Sequence, residues 1–222
     1  SADGTARIWD SATGNALTTP LQHQESVYGA MFNGDETRVL TWSMDDTAQV
    51  WDSANGTVLI ASLKHHSGVL DAMFSADDTR VLTRSIDNTA RVWDSTTGLP
   101  LTPPLQHQEW VNGAAFSMDE TRVLTWSMDG MARVWDSATG IPLTRPLKHH
   151  AKVKGAKFNA DETRMLTWSD DGTVRVWDLY ADYDFPSEYL VLQLEVQTGS
   201  RMNEVGDIEA LSADEWQKKK RQ

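Results

Sequence analysis

The chain has no cysteine among its 222 residues, which excludes disulfides and thiolate metal sites and leaves the redox compartment open. No apolar run approaches the roughly 18 residues needed to span a bilayer, and no charged-then-apolar leader opens the chain. Positive charge is scarce: 20 Lys and Arg against 32 Asp and Glu give a net charge of −12 and a pI near 4.8. Such a surface repels nucleic-acid phosphates and anionic membranes, so neither is an expected partner, and the cytoplasm is the default location. Phenylalanine and tyrosine are also few, at 5 and 4, against ten tryptophans. The large apolar surfaces are therefore concentrated in one residue type, whose placement becomes informative.

Trp9, Trp51, Trp93, Trp135 and Trp177 are each followed by aspartate and stand 42 residues apart without slippage. A fixed period of about 40 to 45 residues implies one four-stranded antiparallel unit per repeat. Within one unit, Val27 to Phe32, Arg38 to Ser43, Thr47 to Trp51 and Thr57 to Leu63 are short runs rich in β-branched and aromatic residues, each expected to form a strand. Asp45-Asp46, Asp87-Asn88, Asp129-Gly130 and Asp171-Gly172 fall where a tight hairpin joins the second strand to the third. Small residues in the first strand (Gly29-Ala30, Ala72, Gly113-Ala114-Ala115, Gly155-Ala156) suit an innermost position. A four-stranded sheet of this size must stack on its neighbours, and radial stacking gives an all-β propeller.

The elements H-x-x-x-V, T-x-S-x-D and V-W-D, recurring in that order over residues 1 to 180, resemble the WD-repeat β-propellers, and the near-identity of the units resembles bacterial-type members. Two departures are visible. The pair before the first strand reads Gln-His or Lys-His instead of Gly-His, and the following turn reads Asp-Glu-Thr-Arg or Asp-Asp-Thr-Arg. The expected organisation is a half-blade with third and outer strands over 1–22, then blades over 23–64, 65–106 and 107–148. A last blade with an atypical outer strand follows over 149–196, and 197–222 form an extension with a short helix opening at Ser212. The chain is thus expected to be the C-terminal portion of a longer propeller, with an alternation of QHQE and KHH every 84 residues. The unfinished edges also allow two copies to associate.

Each unit carries a histidine, a threonine, an aspartate and a tryptophan at matched positions. The sets are His23, Thr41, Asp45, Trp51; His65, Thr83, Asp87, Trp93; His107, Thr125, Asp129, Trp135; and His149, Thr167, Asp171, Trp177. The resemblance implies a buried chain running from indole to hydroxyl to imidazole to carboxylate. Asp, His and a hydroxyl also compose a nucleophilic triad, but a set repeated in every unit reads as a structural staple. The adjacent pairs His65-His66 and His149-His150 lack further ligands at metal-binding spacing, so no metal and no cofactor are expected. Asn55-Gly56-Thr57 reads as a turn.

One end of the blades, here called the top, gathers the loops before each first strand and the hairpins after each second strand. Its hairpins present Met44, Ile86, Met128 and Asp170, and Trp110 stands beside them. Exposed Met and Trp are typical interface anchors, while the same hairpin residues have a second reading as covers for the staple histidines. Tyr28, Leu70, Asn112 and Lys154 vary at one matched position, as specificity residues would. The acidic turns at the opposite end read as a solvated rim, and Trp42, Trp126 and Trp168, with Arg84 in their place in the second blade, read as packing against the next blade. The expected function is a noncatalytic scaffold or sensor module of a larger multidomain protein, binding a protein or peptide on its top face. The alternative is a hydrolase with its site at the central channel.

Overall fold

The computed structural model describes residues 1–179, 200–202 and 208–210. Strands β1 (Thr5–Ala6) and β2 (Leu21–Gln22) form a two-stranded sheet. Three four-stranded sheets follow: β3 (Val27–Phe32) to β6 (Val58–Lys64), β7 (Val69–Phe74) to β10 (Leu105–Gln106), and β11 (Val111–Phe116) to β14 (Leu147–Lys148). A three-stranded sheet comprises β15 (Val153–Phe158), β16 (Arg164–Ser169) and β17 (Val174–Asp178). Each is an antiparallel meander, so the fold is all-β, built of repeated four-stranded blades. Ser200–Met202 and Ile208–Ala210 pair as β18 and β19. The outer strand expected within 188–196 and the helix expected from Ser212 lie outside the described residues.

The hairpins obey their turn chemistry. Asp46 and Asn88 adopt φ of 71° and 69°, a left-handed conformation that Asp and Asn tolerate, and Gly130 and Gly172 hold the same place in later blades. Outer strands differ in length for a reason visible in the sequence. The first blade's VLIASLK has no proline and makes a seven-residue strand. The corresponding segments of the next two blades carry Pro100, Pro103 and Pro104, and Pro142 and Pro146. Proline has no N–H for the ladder, so pairing there shrinks to the bridges Trp93↔Pro100 and Trp135↔Pro142 and to two-residue strands.

The core lies between consecutive sheets. Leu40, Ala48, Val50 and Leu63 of the first blade pack on Val69, Ala72, Phe74 and Val81 of the second, and equivalent residues meet at the following junctions. The first strands of neighbouring blades pack side by side, β3 with β7 and β11 with β15. Every first strand begins with a register shift, between Val27 and Gly29, Val69 and Asp71, Val111 and Gly113, and Val153 and Gly155. The variable residues Tyr28, Leu70, Asn112 and Lys154 are thus the extra residues of four β-bulges. A bulge re-aims a side chain out of the regular alternation, which strict counting along the strand does not reveal.

Candidate functional site

The structure brings all four staple sets together. The indole N–H of Trp51, Trp93, Trp135 and Trp177 donates to the threonine hydroxyl at 2.7–2.8 Å. That hydroxyl lies 2.6–2.8 Å from histidine Nε2, and histidine Nδ1 lies 2.8–3.0 Å from the aspartate Oδ2. The carboxylate can only accept, so Nδ1 carries the proton, Nε2 accepts from the hydroxyl, and the hydroxyl accepts from the indole. The same Oδ2 accepts the backbone N–H of Gln24, His66, Gln108 or His150, fixing the top loop to the hairpin. Thr47, Thr89 and Thr173 add a hydroxyl to the other carboxylate oxygen; in the third blade Met131 stands there and gives only its backbone N–H.

Burial alone would raise the Asp87 carboxyl, but bonds from His65, the Thr89 hydroxyl and the His66 amide outweigh it and hold it far below the ordinary carboxylate range. Asp45 and Asp129 are lowered in the same way against their burial. Burial also depresses His65, despite the opposing pull of Asp87. The staple imidazoles have no exposed side-chain surface. Their threonines are buried too, so no substrate reaches these hydroxyls.

Above the staples, the top-face residues divide. A Cβ added to Gly68 would meet the Met44 sulfur at 2.5 Å and Ile86 Cδ1 at 3.3 Å, so both side chains already lie over that loop. Met44, Ile86 and Met128 are partly buried, which favours the covering role for the first two. Asp170 is exposed and pairs with Lys152 at 3.0 Å and with Lys154. Asn112 donates to the Val153 carbonyl of the next blade at 2.9 Å, while Tyr28 is exposed and Leu70 partly buried. Trp110 is different. It is 47% exposed and lines a groove of about 310 Å³ with Asn88, Gln108, Glu109 and Met128. Ser26, Gly68 and Lys152 hold its place in the other blades, so this aromatic wall occurs once.

Two relationships differ from the sequence reading. Trp42 packs against the next blade's core as expected, but its ring also lies over Gly29, its partner across the β3–β4 ladder. A Cβ at Gly29 would come within 2.2 Å of Trp42 Cζ2, and at Gly113 within 2.0 Å of Trp126 Cζ2. The acidic turns at the other end are not merely a solvated rim. Asp35, Asp77, Asp119 and Asp161 hold the turn through the Thr two residues on. These bonds lower Asp35 and Asp161, while Asp119 is lowered chiefly through the Ser117 hydroxyl and Asp77 to about 2 chiefly through the Ser75 hydroxyl.

The next residue in each turn has a positive φ, and from the second blade on, at Asp78, Glu120 and Glu162, it joins blades. Arg38 donates to the carbonyls of Asp78 and Ser95, Arg80 to the carbonyl and carboxylate of Glu120, and Arg122 to the same two groups of Glu162. Each guanidinium also lies 5.0–5.1 Å from the ring centroid of Phe74, Phe116 or Phe158. The available signal was the 42-residue recurrence of these Arg and Phe positions.

Among the described residues, no group of three or more His, Cys, Asp or Glu could hold a metal ion, and no helix is long and apolar enough to cross a membrane. A family model described as WD domain, G-beta repeat matches residues 57–94, 101–136 and 141–178. No curated protein sequence matches the chain. Among solved structures, the computationally designed Ika8 protein is 31% identical with a TM-score of 0.69, over 80% of this chain and 53% of its own. The computationally designed Ika4 protein is 30% identical with a TM-score of 0.64, over 75% of this chain and 99% of its own. The chain thus spans about half the length of Ika8.

Proposed function

Since the chain belongs to the WD40-repeat family, whose propellers generally serve as noncatalytic interaction scaffolds, we propose that it is a protein-interaction module binding a peptide segment in the Trp110 groove. The observation that carries this reading is Trp110 itself, a large aromatic side chain half out of the protein at the rim of a groove with Met128 as its other apolar wall. An exposed indole beside a flexible thioether is the chemistry of an interface anchor. Among the described residues Glu109 is the one charged residue lining the groove, and the chain as a whole is acidic. The fitting ligand is therefore a peptide with an aliphatic or aromatic anchor next to a lysine or arginine. Asn88 and Gln108 supply amides for its backbone.

Selection of a random peptide library on the immobilised protein tests this. Enrichment of sequences with a basic residue adjoining an apolar one, competed away by one another, is the expected result. Enriched sequences that bind Trp110→Ala as well as the parent would place the site elsewhere.

A further inference from the structure

Two departures from the 42-residue repeat meet at one junction. Arg84 stands in the second blade where Trp42, Trp126 and Trp168 stand in the others, and Trp110 stands in the third blade where the others have Ser26, Gly68 and Lys152. The Arg84 guanidinium crosses between these two blades. Its Nη1 donates to the carbonyl of Val111, the residue that follows Trp110, at 3.3 Å.

That carbonyl depends on a donor from outside its own blade. The Met128 N–H bonds the Trp110 carbonyl across the ladder, and β11 is an edge strand paired on one side only, so alternation turns the next carbonyl, that of Val111, to the unpaired edge. At the following junction the bulge residue Asn112 donates to the equivalent Val153 carbonyl at 2.9 Å. The second blade has Leu70 in the place of Asn112, a side chain with no donor, and Arg84 supplies one instead. Asp71, where the other full blades have glycine, lies 3.4 Å from the Arg84 Nε. Burial works against the Arg84 charge, and Asp71 offsets it. The planar fork thus reaches from a carboxylate of its own blade to a carbonyl of the next.

We propose that the Asp71–Arg84 pair positions Trp110 for recognition: it fixes the backbone at Val111 and so holds the indole in the orientation that receives a peptide side chain. This rests on the Trp110 groove being the recognition site. Trp110 is 47% exposed, so its direction is set more by its backbone than by packing. That backbone is tied at the Trp110 carbonyl to Met128, the other apolar wall of the groove, and one residue on to Arg84. A wall already in place spares the ligand the cost of ordering it, which raises affinity. Glycine and tryptophan serve the other blades at the places of Asp71 and Arg84, with the indole lying over its own first strand as Trp42 lies over Gly29. The charged pair is therefore kept for the groove and not for the stability of the blade.

Peptides enriched from the random library on the parent protein are titrated into Trp110→Ala, into Arg84→Met, and into the double variant Asp71→Gly with Arg84→Trp. The double variant gives the second blade the pair found in the others, and Arg84→Met removes the donor without adding an indole. Both Arg84 variants should bind at least about tenfold more weakly than the parent, with the urea midpoint of the double variant near the parent's. If both bind like the parent and only Trp110→Ala loses affinity, the positioning role falls and the groove stands. If Trp110→Ala also binds like the parent, the groove and the positioning role fall together. Fluorine NMR of protein grown with 5-fluorotryptophan reads the positioning without a ligand. The Trp110 resonance, identified by its absence from Trp110→Ala, should move toward the position of the free amino acid in both Arg84 variants. An unmoved resonance would overturn the proposal.

Discussion

Asp71 and Arg84 face each other across the β7–β8 ladder as an ion pair at 3.4 Å, in the two places that Gly29 and Trp42 hold in the preceding blade. The Arg84 Nε makes no well-aligned hydrogen bond, so the pair is held by charge and by the Nη1 bond to the Val111 carbonyl at 3.3 Å. In the other three full blades an indole lies where a Cβ would stand, which is why glycine is required there. The second blade exchanges both partners at once. Arg84→Trp alone should cost about 1–3 kcal/mol by overpacking against Asp71, whereas Asp71→Gly with Arg84→Trp should recover most of that loss. Urea unfolding of the two single variants and the double variant measures the coupling; strictly additive effects would count against the pairing.

The staples set a second expectation. Asp129→Ala leaves the His107 Nδ1–H and the Gln108 and Met131 amides without their acceptor, at a cost of about 1–3 kcal/mol. For a chain of this size, calorimetry should show the midpoint falling by about 2–4 °C per kcal/mol. An unchanged midpoint would remove Asp129 from the structural frame.

Acid should destabilise the protein in two stages. His65 is depressed by burial, so the unfolded chain takes up a proton first, and its contribution is full above the ordinary histidine pKa and declines as pH falls below it. Asp45, Asp87 and Asp129 are also lowered, so the folded state binds fewer protons than the unfolded one. Their contribution is present above the usual carboxylate pKa and is lost as pH falls below it. Melting midpoints measured against pH should show both declines, and Asp87→Asn should flatten the lower one.

The inter-blade arginines should not tolerate lysine. The Arg122 guanidinium donates through Nη1 and Nη2 to the Glu162 carbonyl and carboxylate and lies 5.0 Å from the Phe158 ring centroid. A lysine ammonium keeps the charge but not the planar fork. Arg122→Lys is therefore expected to lose more than half of the stability lost by Arg122→Ala, as read from denaturant midpoints. Full rescue by lysine would reduce the contact to a simple charge pair.

What the sequence disclosed follows from what its period encodes. The 42-residue recurrence of His, Thr, Asp and Trp contains both the strands and the staples, because each staple closes within one repeat. Contacts between repeats were less legible. Nothing in the spacing of Arg80 says that its guanidinium will lie over Phe116 of the next sheet, and the acidic turn beside it reads as ordinary surface. The bulges at Tyr28, Leu70, Asn112 and Lys154 break the two-residue alternation on which side-chain direction is counted. Trp110 was legible for the opposite reason: it departs from the period, and folding leaves it exposed beside Met128 in a groove.

Isothermal titration of a library-selected peptide into the parent protein and Trp110→Ala bears most directly on the function. Because Trp110 is half exposed, its removal should leave the melting midpoint unchanged while peptide affinity falls at least about tenfold, a loss of about 1.4 kcal/mol. Equal affinity for parent and variant would contradict the assignment of the Trp110 groove as the recognition site.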